Sequence, residues 1–143
     1  MKNISALFEI FPICQRLLLN SIDLHSIEFT RTQMLILFSL SSRDRLNMSQ
    51  LSAYIASSKE QATRAVAPLV KHGFVERFRS DENRKKVYVQ LTPKGQELIQ
   101  KEQMLVKQRL SAQFQSLSLN DQDIFQESVE NILRLLKKLE ENL

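Results

Sequence analysis

The chain has little of what breaks or staples a fold. Its 143 residues include only 2 glycines and 3 prolines, well below average usage, which excludes a turn-rich β architecture and favours long helices. Cys14 is the sole cysteine, so no intramolecular disulfide can form, and such usage suits a reducing compartment. The two histidines, His25 and His72, stand far from each other and from Cys14, so there is no zinc framework. Long apolar runs are missing too. In "MKNISALFEIFPICQRLLLN", Glu9, Pro12, Gln15 and Arg16 interrupt the apolar residues well short of a membrane span or a signal-peptide core. No nucleophile, base and oxyanion set is discernible, nor a glycine-rich phosphate loop. The expectation is a cytoplasmic non-enzyme with no cofactor, no metal and no membrane association.

What is present is regular and unevenly charged. The formal net charge is +4, and Lys59 to Gly95 carries nine Lys and Arg against four Asp and Glu, a local +5 that leaves −1 for the rest. The basic character belongs to the middle of the chain, which mildly favours a polyanionic partner.

Apolar steps of three and four from Ile4 to about Leu24 predict a helix, which Pro12 kinks or whose start it marks. Thr30 is placed to cap a second helix running to about Ser41, followed by "RDRLN" as a loop. In "MSQLSAYIA", Ser49 caps a short third helix with Leu51, Tyr54 and Ile55 inward. For a fourth helix, Ser57 and Glu60 form a capping box, Gly73 ends it, His72 and Lys71 fill its last turn, and Ala62, Val66, Leu69 and Val70 form its apolar stripe. Two short helices joined by a tight turn read as a helix-turn-helix. Strands over Phe74 to Phe78 and Lys86 to Leu91 flank the charged tip "RSDENRK", a β-hairpin. Thr92 and Pro93 then open a helix to about Phe114, and "SLSLND" restarts the last one. The fold class is mainly α with a small β-hairpin wing, a winged helix-turn-helix flanked by helices. Leu98, Met104, Leu105, Val106, Leu117, Ile124, Phe125, Ile132 and Leu135 offer more apolar surface than a small winged core can cover. A second subunit is the economical cover.

In a helix-turn-helix the second helix enters the major groove, its N-terminal side chains against base edges. Here those are Ser57, Ser58, Lys59, Gln61, Thr63 and Arg64, whose chemistry suits adenine, guanine and phosphates. A solvated helix face accounts for the same residues equally well. At the hairpin, Arg77, Arg79, Arg84, Lys85 and Lys86 suit a phosphate backbone or minor groove. On an isolated hairpin such charges would instead guard an edge against aggregation.

From Phe29 to Leu98 the chain resembles the multiple antibiotic resistance regulator (MarR) family of winged-helix transcription factors. The resemblance rests on "FTRTQMLIL", on "QATRAVAPLVKHGFVERFRSDENRKKVYVQLTPKG", and within it on Thr63-Arg64, "HGFVER" and "LTPKG". It implies an N-terminal dimerisation helix over 1–29, a DNA-binding winged helix-turn-helix over 30–92 and C-terminal dimerisation helices over 93–143. It also implies a homodimer on a pseudo-palindromic double-stranded operator, with Ser58, Lys59, Gln61, Thr63 and Arg64 on bases and phosphates and Arg84 with its neighbours at the wing. Repression, relieved by a small aromatic or phenolic effector, follows from the resemblance alone. Where the family has Asp-x-Arg at the wing, this chain has Asn83, Arg84 and Lys85, so the salt bridge is missing in that form, with Asp81 and Glu82 as the candidate replacements. Pro68 is a second departure and predicts a kink beyond the reading residues. Relatives that sense peroxide use a cysteine of the first helix together with tyrosines. Here the tyrosines are Tyr54 and Tyr88, and Cys14 reads as a buried structural residue rather than a redox sensor. A protein-interaction module is the rival from another class.

Overall fold

The computed structural model describes residues 4–22 and 28–142. Leu24 and His25 therefore lie outside the described residues. The chain divides into two compact units, Met1–Val106 and Lys107–Leu143.

The first unit contains α1 (Ile4–Asn20), α2 (Arg31–Ser41), β1 (Leu46–Asn47), α3 (Met48–Tyr54), α4 (Lys59–Lys71), β2 (Val75–Arg79), β3 (Val87–Leu91) and the first part of α5 (Pro93–Phe114). α1 begins at Ile4 and continues through Pro12, so the proline does not mark its start. It closes at Asn20, with Ser21 and Ile22 donating to the carbonyls of Leu18 and Leu19. These i→i−3 bonds tighten the end of the helix.

Each later helix start is a side chain answering backbone donors that the helix leaves unpaired. Thr30 Oγ1 accepts from Gln33 N at 3.2 Å while Gln33 Oε1 accepts from Thr30 N at 3.0 Å, a full capping box. Gln33 is buried and its amide also donates to the Ala65 carbonyl of α4 at 3.4 Å, joining two helices. The cap of α3 is Asn47, whose Oδ1 accepts from Gln50 N at 2.8 Å. Ser49, the expected cap, falls inside the first turn. "RDRLN" is only partly loop, since Leu46 and Asn47 pair with Val89 and Tyr88 as a third strand. The sheet order is β1-β3-β2, all antiparallel.

The core is the meeting of these elements. Met34, Ile36 and Leu37 of α2, Leu51 of α3, Ala62, Val66 and Leu69 of α4 and Val89 of β3 are sealed from solvent, with Val75 and Ile99 beside them. Burial of one such Leu or Ile contributes about 1.5–3 kcal/mol. Tyr54 faces outward, contrary to expectation, and its ring carries the Arg43 guanidinium at 5.1 Å. α4 remains helical through Pro68.

The end of α4 is fastened to the start of α5. Gly73, at φ +79°, takes the left-handed position that closes α4, with Gly73 N and Phe74 N donating to the Val70 and Leu69 carbonyls. Thr92 N donates to the Phe74 carbonyl at 3.0 Å and Thr92 Oγ1 to that of Gly73 at 2.5 Å. Thr92 Oγ1 also accepts from Gly95 N, capping α5 as expected. Lys94 Nζ donates to the His72 carbonyl at 2.9 Å and lies 4.5 Å from the Phe74 ring. A Cβ at Gly95 would fall 2.0 Å from the Phe74 carbonyl oxygen, so only glycine fits.

The second unit holds the end of α5 and α6 (Leu119–Glu141). Ser118 caps α6 through Asp121 N at 3.1 Å, and Phe114 packs on Phe125 with ring centroids 4.7 Å apart. No residue of α6 is buried within the chain. Ile124, Ile132, Leu133, Leu135, Leu136 and Leu139 are 43–64% exposed. Of the expected apolar surface in α5, Met104 is exposed, but Val106 is buried in the chain itself and Leu98 and Leu105 are half-buried.

Candidate nucleic-acid interface

The turn between α3 and α4 is built to be tight. Ala56 N donates to the Ala53 carbonyl and Ser57 N to that of Ser52, the paired bonds of a Schellman closure. Its left-handed position is filled by Ala56, at φ 51°, where a side chain costs about 1 kcal/mol or more. This turn leads straight into the cap of α4.

That cap is Ser58 rather than Ser57. Ser58 Oγ accepts from Gln61 N at 3.1 Å and Gln61 Oε1 accepts from Ser58 N at 3.3 Å, so the box partner is Gln61 and not Glu60. The reason is spacing: Gln61 is the third residue after Ser58, and Ser57 is held back in the turn. This changes what the first turn offers. Gln61 has its carbonyl oxygen engaged and presents chiefly its amide donors. Thr63 Oγ1 donates to the Lys59 carbonyl at 2.8 Å and Ser57 Oγ to that of Ser58 at 3.2 Å. Lys59 and Arg64 are exposed and have no polar partner among the described residues. Of the six side chains expected here, these two are the ones with no polar atom engaged within the described residues.

The wing alternates as the sequence predicts. Val75, Val89 and Leu91 face the core, while Glu76, Phe78, Tyr88 and Gln90 lie on the outer face, where Gln90 donates to Glu76. Arg77 and Arg79 fall on the core side of the pleat yet are exposed, on the edge strand of the sheet. At the tip Arg84 Nη2 meets Asp81 Oδ1 at 3.1 Å, so Asp81 supplies the acid that the Asn83-Arg84-Lys85 sequence lacks. Arg79 Nη1 donates to the Arg84 carbonyl at 2.6 Å, which makes Arg79 a brace of the tip as well as a cation. Lys85 and Lys86 are exposed beside it.

Sequence reasoning passed over Arg43 and Arg45, which looked like loop charges. Arg45 lies over Tyr88 at 4.5 Å and Phe78 at 6.0 Å. An Arg one residue before a strand, opposite aromatics on its neighbour, was the available signal. Cys14, expected to be buried, is exposed in the chain. Tyr54 and Tyr88 are engaged with Arg43 and Arg45. His72 is the C-cap residue of α4. No metal-holding group of His, Cys, Asp and Glu occurs among the described residues, and none of their helices is long and apolar enough to cross a membrane. A cleft of about 520 Å³ between the end of α2, β3 and α5 is lined by Ser41, Arg43, Asp44, Gln90, Gln96 and Gln103, among others.

Comparison with known proteins agrees with this architecture. Residues 29–87 match the MarR family. The chain is 29% identical over 113 residues to the transcriptional repressor MprA of Escherichia coli K12, a match covering 78% of this chain and 64% of that protein. It therefore spans slightly less than two thirds of that relative's length. A mutant MarR from E. coli superposes with a TM-score of 0.74 at 20% identity, covering 93% of this chain and 98% of that one. NadR in complex with 4-hydroxyphenylacetate gives 0.71 at 19% identity, covering 92% and 94%. With the helix-turn-helix and wing between flanking helices, the chain has the winged-helix fold of these structures, and its residues 29–87 carry the match to the MarR family.

Proposed function

We propose that the chain is a cytoplasmic homodimeric transcriptional regulator that binds pseudo-palindromic double-stranded DNA and represses. The observation that carries this is the first two turns of α4. Directly after a strained, tight turn they present Lys59 and Arg64, exposed and without polar partners among the described residues, where a helix-turn-helix meets base edges. Ser58, Gln61 and Thr63 accompany them, with Ser57 at the entry. Arg84, Lys85 and Lys86 follow the backbone or minor groove, aided by Arg77 and Arg79. The uncovered apolar face of α6 supports a second subunit, because a charged or polar solvent-facing helix would need no such stripe. Two reading helices related by a two-fold axis meet half-sites about 10 bp apart.

The effector is proposed as a small aromatic or phenolic molecule. The support is indirect: NadR, of the same fold, holds 4-hydroxyphenylacetate. Exposed Cys14 favours a second reading, thiol-based redox control. Peroxide treatment that leaves DNA affinity unchanged would remove it.

Substitution tests the main reading. Arg64→Ala should weaken specific binding by about 1–3 kcal/mol and relax base preference. Lys86→Ala should weaken all sequences alike and lower the salt slope by about one phosphate contact. Competition between specific and random duplexes reads both, and equal losses on the two duplexes for both variants would show that the roles are misassigned.

A further inference from the structure

We infer that Arg45 is the positioning residue that aims the wing, acting through the Tyr88–Phe78 pair rather than on a ligand of its own. This rests on reading the wing as a DNA-contacting arm.

The need for such a residue follows from the sheet. β1 is only Leu46–Asn47 and pairs no further along the arm than Tyr88. Beyond it, β2 and β3 continue as a two-stranded ribbon, and a two-stranded ribbon alone is marginal in water. Its core-side residues there are Val87, only half-buried, and Arg79, exposed, so little apolar burial holds it. The outer face supplies the alternative. Phe78 and Tyr88 are direct cross-strand partners, stacked with centroids 5.8 Å apart and planes 24° from parallel. The Arg45 guanidinium spans both rings at 4.5 and 6.0 Å, within reach of a cation–π attraction. Arg45 directly precedes β1, and β1 directly precedes the Asn47-capped α3. The contact therefore ties the arm to the entrance of the helix-turn-helix.

From there the restraint passes outward. Phe78 is followed by Arg79, whose guanidinium holds the Arg84 carbonyl, and Arg84 is held by Asp81. One line of contacts thus runs from Arg45 to the cation at the tip. Lys in place of Arg would keep the charge but lose the flat guanidinium that covers two rings.

The test compares Arg45→Gln, Arg45→Lys, Tyr88→Leu and the Arg45→Gln/Tyr88→Leu double variant. The first measurement needs no DNA: amide hydrogen exchange of the whole protein. Exchange at the outer ends of β2 and β3 should quicken several-fold in Arg45→Gln and in Tyr88→Leu, less in Arg45→Lys, with α4 unchanged. Unchanged exchange in the wing overturns the inference, as does equal acceleration throughout the first unit, which would mean general destabilisation. The second measurement is the salt dependence of binding to a random-sequence duplex. Tyr88→Leu changes no charge, yet should lower affinity and salt slope like Arg45→Gln, and the double variant should be no worse than the poorer single. A loss in Arg45→Gln alone, with Tyr88→Leu behaving as wild type, would make Arg45 a direct phosphate contact and overturn the inference. Wild-type protein with no salt-dependent duplex binding would defeat the DNA-binding reading itself, while the exchange result would still decide what Arg45 does to the wing.

Discussion

α4 and α6 are both amphipathic, and both begin with a serine whose hydroxyl accepts from the amide three residues on. Their apolar stripes meet different ends. Ala62, Val66 and Leu69 are sealed by the rest of their unit, whereas Ile132, Leu133, Leu136 and Leu139 stand open to solvent. Periodicity reports that a helix has a face to hide. It does not report what hides it, and for α6 the cover proposed above is a second subunit.

The sharpest way to test that contrast is to cut into each stripe. Leu69→Ala removes a fully buried side chain and should cost about 2–5 kcal/mol, lowering the urea midpoint by the same amount at every protein concentration. Leu136→Glu should leave the first unit folded and instead raise the dimer dissociation constant about a hundredfold, roughly 2.8 kcal/mol. Equilibrium sedimentation reads the second effect. A folded wild-type monomer at micromolar concentration, or a Leu136→Glu variant that dimerises normally, would break the comparison. The smallest effect concerns what the helices share: Ser58→Ala and Ser118→Ala should each cost about 1 kcal/mol. Only the Ser118 variant should show a stability loss that grows on dilution, because the helix it frays is the one proposed to pair with a second subunit.

Much of this was legible in the sequence. α2, the strands of the wing, α5 and α6 fall within a residue or two of where periodicity and caps place them. Misplaced caps share one cause, neighbouring residues of equal capping chemistry. Ser57 and Ser58 differ only in that the turn's backbone claims the first, and Asn47 outranks Ser49 because a strand delivers it at the right φ and ψ. β1 escaped because two residues show no alternation. Tyr54 and Arg45 escaped for a deeper reason: whether a ring turns inward or shelters a guanidinium depends on partners distant in sequence. Among the candidate site residues, chemistry was legible and availability was not. Gln61 has the right groups for adenine, yet the cap occupies one of them.

The joint between α4 and α5 also governs how the hairpin can fold. Val75 pairs with Leu91, and the next step of the same ladder is Thr92 N on the Phe74 carbonyl. Suppose β3 slipped by one residue against β2. Lys94 or Gln96 would then occupy the place of Gly95, where a Cβ lies 2.0 Å from that carbonyl oxygen, and every inward valine of the strand would turn to solvent. The charged tip, built from polar residues that any alignment would tolerate, has no means of rejecting the slipped pairing. Selection against misalignment thus sits at the root of the wing, in a hydrogen atom that takes the place of a side chain.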